Sequence, residues 1–344
     1  MRITAFLALL FAAPAIAQYS GPESVEYDPA GDRYFVSNTS ASVIRVRSQA
    51  GAVSDFAAVS PAPYGLEIMG DVLYACSGGS VKGYSLANGS QVFNLNLGAT
   101  FLNGITTDGE YIYATDFNNN QRKVYKVDVA ASSSSVLVAN FGAQPNGIVY
   151  DPVGDRLVVV GWGSNAPIRA VDKNTGAITP LVTTTLTNID GITIDCLGNF
   201  LVASWTPDAI TRFEPTFTMP GVLVSTGTLN NPADIDFDLV NNRICIPNSG
   251  NNTVTLHDYD CSTGIAAVEE EEALRAIPNP TMGLVRIEPR LTRDEAYILL
   301  DVRGLLVGGG TIRSGAMLDI GRLTNGVYII EFSRTGQRLR VVKE

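Results

Sequence analysis

One phrase recurs along most of this chain and limits what it can fold into. Its clearest copy is Pro145-Asn146-Gly147-Ile148-Val149-Tyr150-Asp151-Pro152. Related copies begin at Pro22, Pro63, Leu102, Ile189 and Pro232, at intervals of 39 to 44 residues. Each interval holds only short β-branched and aromatic runs, separated by Gly, Asn and Asp turn signals. In the fourth copy the runs are 147–150, 156–160, 168–172 and 177–182. A repeat of this length made of short strands predicts a β-propeller with one blade per copy. The six copies predict an all-β, six-bladed β-propeller over residues 18–268. The sixth offers runs at 235–237, 243–246 and 253–259, with Ile265 to Val268 expected as its outer strand.

The second position of the phrase varies in kind: Glu23, Tyr64, Asn103, Asn146, Asp190 and Ala233. In a closed ring these positions face one end of the central channel. Glu23, Asn103, Asn146 and Asp190 supply two carboxylates and two amide oxygens, which suit a hard cation. Calcium fits best, because it accepts many oxygen ligands at flexible geometry, where magnesium requires a strict octahedron. The ends of the second strands rise to the same face and bring Asp116, Phe117, Asn118, Trp162, Trp205 and Asp208 around the mouth. With Tyr64, these aromatic rings could stack on a carbohydrate or another flat small molecule. The bland alternative is turn chemistry, since Asn and Asp at strand entries satisfy backbone donors.

Other chemistry is limited by what the chain lacks. His257 is the only histidine, which leaves no Ser-His-Asp triad and no His-rich zinc site. No phosphate loop, dinucleotide fingerprint or nucleophile elbow occurs. From Arg275 onward there are 11 basic and 7 acidic residues, a net +4, against −14 for the rest. So acidic a main domain disfavours nucleic acid and favours cations. Residues 1–17 read as a secretory signal, with Arg2, an apolar run and Ala15-Ile16-Ala17 before Gln18. No later run is long and apolar enough to span a bilayer, so the mature chain is expected outside the cell or on its surface, as a monomer. Of the four cysteines, Cys196 and Cys261 both fall toward the face opposite the ring and form the favoured pair; four unpaired cysteines is the alternative.

Residues 269–276 carry the acidic run Glu269 to Glu272 and read as a linker. Beyond it, strand runs at 284–287, 297–302, 305–307, 327–332 and 339–342 predict a small antiparallel β-sandwich over residues 277–344.

Two resemblances follow from these residues. Pro278-Asn279-Pro280-Thr281 with Gly283, Asp301-Val302-Arg303-Gly304, Leu318-Asp319-Ile320 with Leu323, Asn325-Gly326-Val327-Tyr328 and the terminal Arg340-Val341-Val342-Lys343 resemble the type IX secretion sorting domain. The resemblance implies recognition by the secretion machinery, passage across the outer membrane, and removal of this domain with release or surface attachment. The propeller resembles the senescence-marker-protein/gluconolactonase and strictosidine-synthase-like superfamily. Gly21-Pro22-Glu23-Ser24, Pro145-Asn146-Gly147 and Asp190-Gly191-Ile192 carry that likeness, with Asn103-Gly104 where the family has another channel asparagine. It implies Glu23, Asn146 and Asp190 as metal ligands and Asp190 as the general base of a metal-dependent lactone or ester hydrolase. Where sugar-lactonases have a substrate-binding arginine this chain has Phe101. A non-catalytic surface propeller that binds protein or polysaccharide is the competing expectation.

Overall fold

The computed structural model describes residues 18–262, 274–288, 294–302, 304–333 and 337–344. The expected signal at 1–17, the outer strand at 265–268 and the Glu269 to Glu272 run lie outside the described residues. The chain divides into two compact units, Met1–Cys261 and Ser262–Glu344. No helix among the described residues is long and apolar enough to cross a membrane.

The first unit is a ring of six antiparallel sheets in chain order. Blades 1 to 5 have four strands each, and blade 6 has three among the described residues. Blade 4 is representative, with strands Gln144–Asp151, Arg156–Trp162, Pro167–Val171 and Ile178–Thr183 in meander order. The inner strands are Pro22–Asp28, Pro63–Met69, Leu102–Thr107, Gln144–Asp151, Thr187–Ile194 and Asp236–Asp238, and each packs on the next around the channel. Second strands are largely apolar because a neighbouring blade covers each face. Six buried clusters result, one per pair of adjacent blades. Outer strands such as Ser133–Val138 face water and read polar.

The recurring phrase has two structural jobs. Its Asp-Pro end makes the first turn: Asp151 Oδ1 accepts the Val153 and Gly154 amides, and Asp151 Oδ2 takes Arg156 at 2.9 Å. Asp28 and Arg33 repeat this in blade 1. Its Gly lets blades approach. A Cβ on Gly104 would stand 2.3 Å from the Asn146 carbonyl oxygen, and one on Gly65 2.2 Å from that of Asn103. At the same place the pairing register slips in blades 1 to 5. A bulge there turns the second-position side chain toward the channel instead of into the blade.

Among the described residues, the ring closes without a strand exchanged between blades 1 and 6. The Asp234 amide donates to the Glu23 carbonyl at 2.8 Å, and Ser24 and Asp234 form a parallel bridge. Side chains add Ser24 Oγ to Asp234 at 2.9 Å, the Tyr27 amide to Asp236 at 2.9 Å and Tyr34 to Asp238 at 2.5 Å. Tyr19, Val25, Tyr27, Tyr34, Val36 and Cys245 fill the seam. Cys196 and Cys261 are joined, tying the exit of blade 6 to blade 5, while Cys76 and Cys245 are buried thiols.

The second unit is a pair of facing sheets around Val285, Ile287, Leu299, Ile330, Phe332 and Val341. It has two short strands beyond those expected, Arg275–Ile277 and Met317–Asp319. The first begins inside the stretch assigned to the linker, which corrects that boundary; three residues were too few to give a periodic signal. Asn279 donates to the Arg340 carbonyl at 2.7 Å and accepts the Val342 amide at 2.8 Å, so the Pro-Asn-Pro-Thr segment is pinned to the last strand.

Candidate functional site at the channel mouth

Inner strands of four blades deliver a connected row of polar side chains to the channel. Asn103 Nδ2 donates to Asn146 Oδ1 at 2.6 Å, and Asn146 Nδ2 donates to Asp190 Oδ1 at 2.7 Å. Glu23 lies near enough to Asn103 for the amide to favour its anion, so a second carboxylate stands at the other end of the row. Thr115 holds the frame behind it, accepting the Gly104 amide at 2.9 Å and donating to the Asn146 carbonyl at 2.7 Å. The row is well covered: Asn103, Asn146 and Asp190 are 5%, 2% and 3% exposed.

Burial dominates the electrostatics. The Asp190 carboxyl is raised well above the ordinary range by desolvation first, then by Glu23 and Asp234, against the Asn146 hydrogen bond and the nearby Trp205 N–H. Desolvation pushes Glu23 up to about 7, with Asn103 opposing. Asp234 rises to about 8, again through burial, although the Ser24 hydroxyl favours its anion. Among the described residues no Lys or Arg acts appreciably on these three carboxyls.

An aromatic wall stands over the row. Tyr64, Phe101, Phe117, Trp162 and Trp205 meet edge to face in sequence, with ring centroids 4.6, 5.8, 5.4 and 4.9 Å apart. They come from blades 2 to 5 and leave the mouth unwalled over blades 6 and 1. The Trp205 Nε1 is buried with no acceptor at hydrogen-bond geometry, yet it lies near enough to Asp190 to favour the anion.

Not every expected residue joins this site. Glu23, Asn103, Asn146 and Asp190 come together, with Tyr64, Trp162 and Trp205 above them. Asp208 is exposed and accepts the Asn231 amide at 3.0 Å, outside the connected row. Asp116 is buried and accepts the Thr100 and Phe101 amides, which makes it the anchor of the loop that carries Phe101. Two participants were missed. Asp234 stands where blades 2 to 5 have Gly, a departure visible when the copies are aligned. Phe101 lies just before its inner strand and completes the wall, a role that no periodicity marks.

The donors are oxygens throughout and fit a hard cation in kind. Among the described residues no three Asp, Glu, His or Cys side chains converge as a metal cage. An ion here would therefore depend on the amides as well as the carboxylates.

No family model matches the chain, and no curated protein matches it. Solved structures do. A streptogramin B lyase aligns over 72% of this chain and 85% of its own with a TM-score of 0.54 at 19% identity. A catalytically inactive virginiamycin B lyase from Staphylococcus aureus, solved with quinupristin, covers 70% and 85%, TM-score 0.51, at 16% identity. A chain of a nidogen/laminin complex covers 66% and 92%, TM-score 0.52, at 17% identity. At such identities the likeness establishes the fold: this is a β-propeller protein.

Proposed function

We propose that this chain is an exported propeller, secreted or held at the cell surface, that binds a divalent cation at the channel mouth and a small flat ligand such as a carbohydrate beside it. Glu23, Asn146 and Asp190 would hold the ion, and calcium is the cation expected. The observation that carries this reading is the hydrogen-bonded row Asn103–Asn146–Asp190, with Glu23 beside it, beneath five contiguous aromatic rings and with no basic side chain acting on it among the described residues. A bound cation would supply the missing counter-charge and return these carboxyls to their ionised form.

Calcium at a hundredfold excess over its Kd should stabilise the fold by about 2.7 kcal/mol. That corresponds to a Tm increase of about 5–10 °C. Asp190→Asn should lose the increment, because it removes a charge while keeping the shape. An equal response in wild type and variant would remove Asp190 from the site, and no response in either would remove the cation.

A second reading, a metal-dependent lactone or ester hydrolase with Asp190 as general base, is favoured by the raised Asp190 carboxyl, which when ionised is a stronger base than an ordinary carboxylate. Turnover of any member of a lactone and ester panel, lost in Asp190→Asn, would decide for it. Sugar-acid lactones should be poor substrates, because Phe101 and the uncompensated carboxylates offer their charge no partner.

A further inference from the structure

Three residues below the mouth, the fifth position of each copy forms a second tier: Glu26, Glu67, Thr106, Val149, Thr193 and Asp236. Together with Asp234 these line a cavity of about 40 Å³, large enough for water. The tier's own carboxyls, Glu26, Glu67 and Asp236, come from blades 1, 2 and 6, and blades 6 and 1 meet at the closure seam. Two of them bridge blades through backbone amides. Glu26 Oε1 accepts the Ile68 amide of blade 2 at 3.0 Å, and Asp236 Oδ2 accepts the Tyr27 amide of blade 1 at 2.9 Å. Thr106 does the same for Tyr150 between blades 3 and 4, at 3.1 Å, with a group that carries no charge. The threonine shows that an uncharged acceptor suffices for the bridge.

We propose that this lower tier is a proton-dependent latch on ring closure: blades 6, 1 and 2 stay joined while its carboxyls keep protons among them, and the joint slackens when they ionise. The groups that face the tier give no relief. Glu26 meets Asp236, Glu67 and Asp234; Glu67 meets Asp236 and Asp234; Asp236 meets Asp238. Asp236, Asp238 and Glu26 act electrostatically on the Cys245 thiol, and Asp234 and Asp116 on the Cys76 thiol. No Lys or Arg is among them.

Burial first, then these neighbours, holds the Glu26 and Glu67 carboxyls well above their ordinary range; burial likewise raises Asp236, against hydrogen bonds that favour its anion. The folded chain therefore binds more protons than the unfolded one. Their contribution is complete below the unfolded carboxylate range and is lost as pH rises through the folded values.

Thermal unfolding of the full chain in a chelator, from about pH 5 to about pH 9, tests the latch. The wild-type Tm should fall as pH rises. Glu67→Gln removes one charge without touching either backbone bridge, so it should match wild type at the acid end and unfold about 3 °C higher or more at the alkaline end. Of the mouth carboxyls only Asp234 acts on Glu67, so the difference reads the charge of the lower tier together with its coupling to Asp234. Parallel curves, or a variant less stable at every pH, would overturn the proposal. Should Glu67→Gln not fold, hydrogen exchange of the wild-type Tyr27 and Ile68 amides decides. Protection that falls as pH rises, after correction for intrinsic exchange, supports the latch; constant protection overturns it.

Discussion

Gly104 and Asp234 occupy the same place in their repeats and have opposite consequences. At Gly104 the absent Cβ lets the Asn146 carbonyl of the next blade approach, which brings Asn103 and Asn146 within hydrogen-bonding reach. Gly104→Ala forces that contact apart or bends a packed strand, at a cost of about 1–3 kcal/mol. A denaturant midpoint lowered by that amount, with an unchanged slope, would check it. Asp234 replaces this closeness with charge. It adds a third carboxyl near Glu23 and Asp190, and its Ser24 hydrogen bond joins the last blade to the first. A reading by residue type finds the Glu, Asn and Asp of the second position. It passes over Asp234, because the carboxylate lies one place further along, where only the ring makes it a neighbour.

The bulged inner strand is the element that converts a repeat into a site. Its residues are apolar on the faces covered by neighbouring blades, and the register slip presents the polar second position to the channel. Strand existence is legible from periodicity, as the runs at 147–150 and 156–160 anticipate. Bulges and three-residue strands such as Met317–Asp319 are not, since they depend on which partner lies opposite. Ring closure is likewise an element-scale matter. The disulfide spans 65 residues and restrains the end of blade 6 against blade 5. On loop entropy alone its loss costs about 4 kcal/mol. Cys261→Ser should lower Tm by about 8–16 °C on that basis, and protection from hydrogen exchange should fall first in blades 5 and 6. A Tm unaffected by the substitution would mean that the seam holds without the crosslink.

At the scale of the molecule, the two units have separate cores, so the first should fold without the second. Deleting the chain from Pro278 onward should leave a folded propeller that stays in the periplasm, read by cell fractionation and protease accessibility. Normal surface delivery of that truncated chain would refute the sorting role proposed for the second unit. The sequence by itself determined the propeller class, the repeat boundaries and the second-position row. Each of these is a local pattern imposed by strand period and turn chemistry, and local patterns are written in order along the chain. Only the tertiary structure decided the continuous aromatic wall, the addition of Asp234, the demotion of Asp116 to a loop anchor and the burial that raises the channel carboxyls. Those properties arise when residues some 40 or 200 positions apart are brought together in a medium of low polarity. Neither the distance nor the polarity is encoded at any single position.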